Sequence, residues 1–500
     1  DWDPARYPGK PEICGNGIDE NCDGSDSTNC ATACQIAAYE KSYQGCEYFA
    51  TTTMNALLSS TFFGDFALVI YNPNSTSATV SITKGATSVG SGTISANSLQ
   101  VFYLTMDQEL RRGYNGACTD TCWSKNIFTD TDGAFRVVTN NPVTVYQFNP
   151  FNFAIGAVYS YSNDASLLLP KHVMTNNYMA TTMSTFWNNS SGFINIVGTA
   201  DNTTVQVTYN GDVEGGPTRG QTVNYTLHMH DVLNIPSKFC TAGANLFCGD
   251  QYDLTGTTIR VTAGDPVAVF AGHNCVYLPG AYSACDHLEE QMMPLETWGK
   301  NFVAAYTAPF TGTAGVANMY RVVAAEDGTV VTFTPAVRAV ANLNKGQHVE
   351  FTATVDFSIT ATKPVAVTQF MLGQQYFAGA TTGDPSMTLI VPMEQYRKNY
   401  TFTVPSSMTN NFVNIIKPVA QPGKNAPTIY FDGVAIPEAS FSTAIGTTYF
   451  GVHRRTISTA PYNHTITSSQ PFGIMVYGHA ANTSYMYPGG LDLNILNIVE

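Results

Sequence analysis

Residues 1–26 carry seven carboxylates, Asp1, Asp3, Glu12, Asp19, Glu20, Asp23 and Asp26, against Arg6 and Lys10. Such a density repels itself unless a cation neutralises it. Its centre reads Asp19-Glu20-Asn21-Cys22-Asp23-Gly24. Oxygen ligands at alternate positions of a tight loop, with a glycine that permits the turn, are the donor chemistry of Ca²⁺. An EF-hand would place a bidentate Glu eleven residues after Asp19, where Cys30 stands, and no flanking helices are expected, so the loop is not an EF-hand. Asp26, Glu12, Asp1 and Asp3 are the expected further oxygens, with Cys14 and Cys22 tying the loop shut. A solvated acidic tail is the plainer alternative, which the ordered glycine and cysteine spacing disfavours.

Histidines supply the other chemistry. His228 and His230 of the HMHD segment are expected to alternate on a strand, so that both face one way and, with Asp231, could grip a metal. Two polar residues on an exposed strand face are preferred, because the sequence fixes no third ligand. His287, with Asp286, Glu289 and Glu290, could form an acid–base cluster. It stands in a turn that recurs elsewhere without histidine, which favours a structural role. His273 and His479 fall at matching places and are expected to pack. There is no G-x-S-x-G elbow, phosphate loop, dinucleotide fingerprint or H-E-x-x-H, and the chain is expected not to be an enzyme.

The eleven cysteines mostly have a neighbour within a dozen residues. Zinc sites would suit close pairs, but Cys118 and Cys122 have no histidine near and the 240/248 and 275/285 pairs have loop-like spacing, which favours disulfides formed in an oxidising, extracellular compartment. The expected pairs are Cys14 with Cys22, Cys118 with Cys122, Cys240 with Cys248, and Cys275 with Cys285. Of Cys30, Cys34 and Cys46 one must stay free or bond another chain, and Cys34 with Cys46 is the preferred pair.

These residues must be held by something large. At 500 residues the chain exceeds the ~250–300 at which a single core stops growing. Charged residues make up 12% and hydrophobic ones 44%, against a usual ~25% charged, so a neutral Thr/Ser/Asn/Gly surface is expected. A net charge of −14 opposes phosphate neutralisation, which excludes nucleic acid as a partner. No apolar run reaches the ~18 residues of a membrane helix and no signal-like leader opens the sequence, so no transmembrane segment is expected.

One pattern occurs four times: FRVVTNNPVTVYQF, TIRVTAGDPVAVFAGH, FSITATKPVAVTQF and HTITSSQPFGIMVYGH, with Pro142, Pro266, Pro364 and Pro471 at its turn. A second marker follows each, DASLLLP, DHLEEQMMP, DPSMTLIVP and SYMYP, ending at Pro170, Pro294, Pro392 and Pro488. Eight residues after three of these come Tyr178, Phe302 and Tyr400, each preceded by Asn, and Tyr48 matches Tyr178. Runs such as TVQVTYN and TVVTFTP alternate with period two. The expected fold is all-β: four tandem repeats of about 100–120 residues, as β-sandwich-like modules or, alternatively, in a propeller-like arrangement. The borders are an acidic segment 1–30 and repeats 31–170, 171–294, 295–392 and 393–500. Helix is expected only at QIAAYEKS near residue 35 and at 288–298.

The segments GCEYFA, TGTTIRVTAGDPVAVFAGHNC, CDHLEEQMMPLETWGKNF, TATKPVAVTQF and GDPSMTLIVPMEQYRKNYTF resemble the N-terminal domain family of IgGFc-binding proteins, over about residues 34–488. Residues 3–26, DPARYPGKPEICGNGIDENCDGSD, resemble the MopE-type metal-binding motif of secreted and surface proteins of bacteria. The resemblance implies an extracellular β-rich binding module with Cys240–Cys248 and Cys275–Cys285 as family disulfides, and it transfers no catalytic residue. The expected function is a secreted or cell-surface adhesion protein with a Ca²⁺-stabilised N-terminal motif, meeting a protein or glycan ligand on another surface. A self-assembling subunit of an extracellular filament or surface layer is the alternative. A metal-dependent hydrolase using His228, His230 and Asp231 comes last.

Overall fold

The computed structural model describes residues 6–499 except 27, 29, 56–57, 117–125, 187–189, 241–246, 284, 447 and 459–462. The third repeat shows the building plan most plainly. One sheet is formed by Gly299–Ala304, the first half of the long strand Phe357–Met371, Thr329–Thr334 and Ala341–Leu343. The other is formed by Ser386–Leu389, the second half of the same long strand, Asn318–Ala324 and His348–Ala353. The long strand changes sheets at Pro364. Ala361 still pairs with Val331 in the first sheet, and Val365 already pairs with Ala324 in the second. A residue without an N–H is least costly where one ladder stops and another starts.

The plan recurs three times. Ala134–Phe148 crosses at Pro142, Asn463–Ala480 crosses at Pro471, and in the second repeat Thr258–Ala263 and Val267–Val276 flank Pro266. Three repeats are therefore small sandwiches sharing one strand between their two sheets, and in the second the corresponding strand is split in two at Pro266. The first repeat also lends Phe128–Asp130 to the sheet edge of the second, beside Val232–Pro236. The sandwiches do not lie in a row. Their last strands, Ala165–Leu167, Asp286–Gln291, Ser386–Leu389 and Thr483–Pro488, neighbour one another in a closed circuit, the fourth returning to the first. All four are buried along their whole length. Sandwich-like modules are thus present, and their last strands close a circuit.

The aromatic marker plugs the start of each sandwich. The Tyr48 hydroxyl accepts from Gly45 N (2.7 Å) and donates to Val143 O (2.5 Å), where a bulge separates Gly45 from Glu47. Tyr400 does the same with Arg397 N (2.9 Å) and Phe472 O, again at a bulge. Phe302 fills the equivalent place without a hydroxyl. The asparagine before it joins neighbouring repeats. Asn177 Nδ2 donates to Glu296 (2.7 Å) and Asn301 Nδ2 to Glu394 (2.8 Å), each glutamate standing two residues after a marker proline. The matching His172 reaches Ser42 O (2.9 Å), and Arg397 closes the circuit on Asp492.

Two expectations need correction. Ala33–Tyr39 is a helix with a Thr32/Gln35 capping box, but residues 288–298 are not helical. They are the end of the central strand Asp286–Gln291 and a short 3₁₀ turn, Leu295–Thr297. A strand buried on both faces loses its period of two, which leaves its sequence free to mimic a helix. Cys14 bonds Cys30, not Cys22. Parallel bridging of Glu12 to Cys30 brings those ends together, while Cys22, at φ 59°, faces solvent as the free cysteine among the described residues. Cys34–Cys46, Cys240–Cys248 and Cys275–Cys285 are also bonded, and Cys118 and Cys122 lie outside the described residues.

Candidate functional site

The N-terminal loop is built by carboxylates that accept backbone amides. Asp19 Oδ1 accepts from Asp23 N (3.1 Å) and its Oδ2 from Gly24 N (2.8 Å), and Asn21 Oδ1 also accepts from Asp23 N (2.8 Å). Asp23 Oδ1 accepts from Ser25 N (3.0 Å). Asp26 holds Gly15 N (2.9 Å) and Gly17 N (2.7 Å). Beneath them Glu12 accepts from Asn21 N (3.1 Å), and its second oxygen, Oε1, is buried without a partner. The amide of Ile13 holds the Glu20 carboxyl below its ordinary value. Carboxylate and amide oxygens dominate, histidine is absent from residues 1–31, and Cys14 and Cys30 are oxidised. This donor set fits a hard cation, and the orphaned Glu12 oxygen is in keeping with one. Among the described residues no three His, Cys, Asp or Glu side chains converge tightly enough to form a metal cluster; Asp1 and Asp3 lie outside them.

The histidines divide differently. Residues 228–231 form a turn between Thr222–Leu227 and Val232–Pro236, not a strand. His230 adopts φ 74° and is buried against Ala134 O (3.1 Å), whereas His228 is exposed beside Asp201. Asp231 caps the turn through His228 N (2.8 Å). The two imidazoles face apart, so the arrangement does not grip a metal.

His287 belongs to the centre of the ring. Glu289 accepts from Thr53 Oγ1 (2.5 Å) and Gln147 Nε2 (3.2 Å) and lies 3.4 Å from His287 Nε2. Asp286, His287, Glu289 and Glu290 are at most 1% exposed, so no solute reaches them. Asp164, which the sequence did not single out, sits where the four central strands meet. Its carboxylate accepts from Ala165 N (3.0 Å), Glu289 N (3.1 Å), Met387 N (3.3 Å) and Met486 N (3.5 Å). These four donors are equivalent: each pairs with the residue six places after its repeat's proline, namely Phe148, Gly272, Phe370 and Tyr477. Burial pushes the Asp164 carboxyl well up, against the pull of these amides. Burial also raises Asp384, Glu290 and Asp286, the last further through the charge of Asp384. Asp286 Oδ2 and Asp384 Oδ1 have no hydrogen-bond partner. This polar hub organises the ring.

One exposed apolar feature among the described residues is a hairpin of the first repeat. Ala154–Ile155 pairs with Val158–Tyr159 across Gly156, whose φ of 62° the tight turn requires. Ile155, Val158, Tyr159 and Tyr161 are 37–47% exposed and Tyr103 is 52% exposed. Phe153, Tyr159 and Tyr161 form one aromatic group with ring centres 5.1–6.2 Å apart, and Tyr103 meets Phe151 at 5.9 Å. No charged side chain occurs from Asn149 to Asn163. A charge-free stretch with an Ile-Gly-Ala-Val tip was the signal in the sequence.

The family model described as IgGFc binding protein matches residues 164–478, and a copper-binding, MopE-type metal-binding motif model matches residues 1–27. The IgGFc-binding protein of Homo sapiens is 24% identical over 294 residues, which cover 59% of this chain and 5% of that protein. The chain therefore spans about a twentieth of its relative's length. Among solved structures, the BSP domain of a biofilm associated protein aligns with a TM-score of 0.15 and 8% identity over 90% of this chain and 96% of its own, too slight a likeness to bear on the fold.

Proposed function

The chain belongs to the IgGFc-binding protein family, and from that premise we propose that it is a secreted or cell-surface, non-enzymatic adhesion protein that meets a protein or glycan through the aromatic hairpin of its first repeat. The observation that carries this is the exposed Tyr159 and Tyr161, grouped with Phe153 beside the exposed Ile155 and Val158 of an uncharged tip. Tyrosine gives large contact area at low entropic cost, and single-residue exposure would need no such explanation, whereas a contiguous patch does. Four disulfides support an oxidising, extracellular setting. The test is retention of the full chain on protein and glycan arrays beside the Tyr159→Ser/Tyr161→Ser variant. The variant should lose about tenfold or more in affinity, as loss of hot-spot aromatics does; equal binding by both proteins sinks the assignment.

We further propose that the N-terminal loop takes Ca²⁺ through Asp19, Asn21 and Asp23, with Asp26, Glu12, Asp1 and Asp3 completing or supporting the shell. The all-oxygen donors favour calcium over copper. The functional units are residues 31–170, 171–294, 295–392 and 393–500 behind this loop. One observation favours a filament subunit as the second reading: Cys22 is free and exposed in the same loop, where it could bond a second chain. Negative-stain microscopy with millimolar Ca²⁺ and then chelator separates the two, since ordered polymers that dissolve on chelation belong only to the filament.

A further inference from the structure

At the edge of the first repeat, Lys84 ends the strand Ala78–Lys84, Asp107 precedes the short helix Gln108–Arg112, and Asp130 ends Phe128–Asp130. Lys84 Nζ lies 2.6 Å from Asp107 Oδ2. The other oxygen, Oδ1, accepts from Glu109 N (2.9 Å) and Leu110 N (3.3 Å). The Asp130 Oδ2 is buried without a hydrogen-bond partner. The Phe135 ring lies 5.6 Å from Lys84 Nζ, and the side chains of Leu110 and Val232 close with Asp130 around Gly133. An amine, a carboxyl with two amides on one oxygen, and a second, buried carboxyl against apolar walls are the parts of an acyl transfer site.

We propose that Lys84 and Asp107 join in an intramolecular amide bond, with Asp130 carrying the protons. Lys84 gives up a proton and its Nζ lone pair attacks Asp107 Cγ. The amides of Glu109 and Leu110 hold the oxyanion that forms on Oδ1. Asp130 passes two protons from nitrogen to Oδ2, the Cγ–Oδ2 bond breaks, and Oδ2 leaves as water. An ammonium and a carboxylate become an amide and a water, so atoms and charge balance without oxidant, reductant or co-reactant. Burial and the neighbouring charge of Asp107 push the Asp130 carboxyl up to about 7, which lets it both give and take a proton near neutral pH. The bond would clasp the strand Ala78–Lys84 to the segment that leads towards the second repeat.

The intact mass of the purified full chain, reduced and denatured, decides the matter. The expected mass is one water below that of the sequence, and proteolysis should release a branched peptide joining Lys84 to Asp107. Lys84→Arg and Asp130→Ala should each restore the full mass. A folded wild-type chain with the full mass overturns the proposal, as does a lost water that maps to another residue. The wild-type result stands even where a variant fails to fold.

Discussion

A single hydroxyl carries much of the repeat's geometry. Tyr400 binds the Arg397 amide and the Phe472 carbonyl at a bulge, so Tyr400→Phe leaves two buried backbone groups without their partner. A loss of about 1–3 kcal/mol is expected, read as a lowered Tm. The hub carboxyls set a pH dependence. Asp164, Asp286, Asp384 and Glu290 are raised above their ordinary values, so the folded chain keeps protons that the unfolded chain releases. Stability from this source falls as pH rises above the usual carboxylate range, by up to about 1.4 kcal/mol per unit for each group still protonated. Burial holds His273 at about 3 and His479 at about 4; the unfolded chain alone binds their protons below about 6.5, so stability also falls as pH drops through that window. Asp384→Asn should flatten the alkaline limb of a Tm–pH curve and leave the acid limb in place; an unchanged alkaline limb would remove Asp384 from the account. Sequence displayed the Asn-aromatic marker but not its reason, because its partners Glu296 and Glu394 lie in the next repeat. Nor could spacing separate Cys22 from Cys30 as the partner of Cys14, since strand pairing at Glu12 decides it.

Strands with one wet face were legible. Thr329–Thr334 alternates in burial as it alternates in character, and Thr203–Thr208 does likewise. Asp286–Gln291 was not, because both its faces are covered and its polar residues serve the hub. The HMHD segment reads as a strand by pattern, yet becomes a turn because His230 takes a left-handed backbone and packs inward. Between the second and third repeats, ion pairing adds to a shared apolar cluster that includes Met183, Val276, Met319 and Phe370. Arg321, on Asn318–Ala324, binds Asp253 (2.9 Å), Thr182 O (2.5 Å) and Thr255 Oγ1 (2.8 Å) of the second repeat and Glu350 (2.7 Å) of its own. Its positive charge holds the buried Asp253 below its ordinary value despite desolvation. Arg321→Ala should cost about 3–5 kcal/mol by stranding Asp253, and adding Asp253→Asn should recover part of the loss. Full additivity of the two changes in a double-mutant cycle would mean the pair does not couple.

At the scale of the whole molecule, four sandwiches close a circuit that no single repeat announces. The fourfold marker was visible, whereas closure depends on contacts between Ala165–Leu167 and Thr483–Pro488, which lie in the first and last repeats. Deleting residues 393–500 should therefore do more than remove one unit. It uncovers the central strands of the first and third repeats, and the shortened chain should aggregate in light scattering; a soluble three-repeat monomer would mean the units stand alone. Closure also fixes where the chain enters and leaves. Leu493 N bonds Lys41 O (3.1 Å), Ser42 bridges Asp492, and Asn494 is held from both sides by Gln395. Tension drawn through flanking polypeptide would thus run across this short seam and bypass the ring, parting hydrogen bonds in succession like a zip. Beyond the seam the sandwiches would hang slack, as a bead clipped to a line, and keep their shape in a flow that stretches whatever surrounds them.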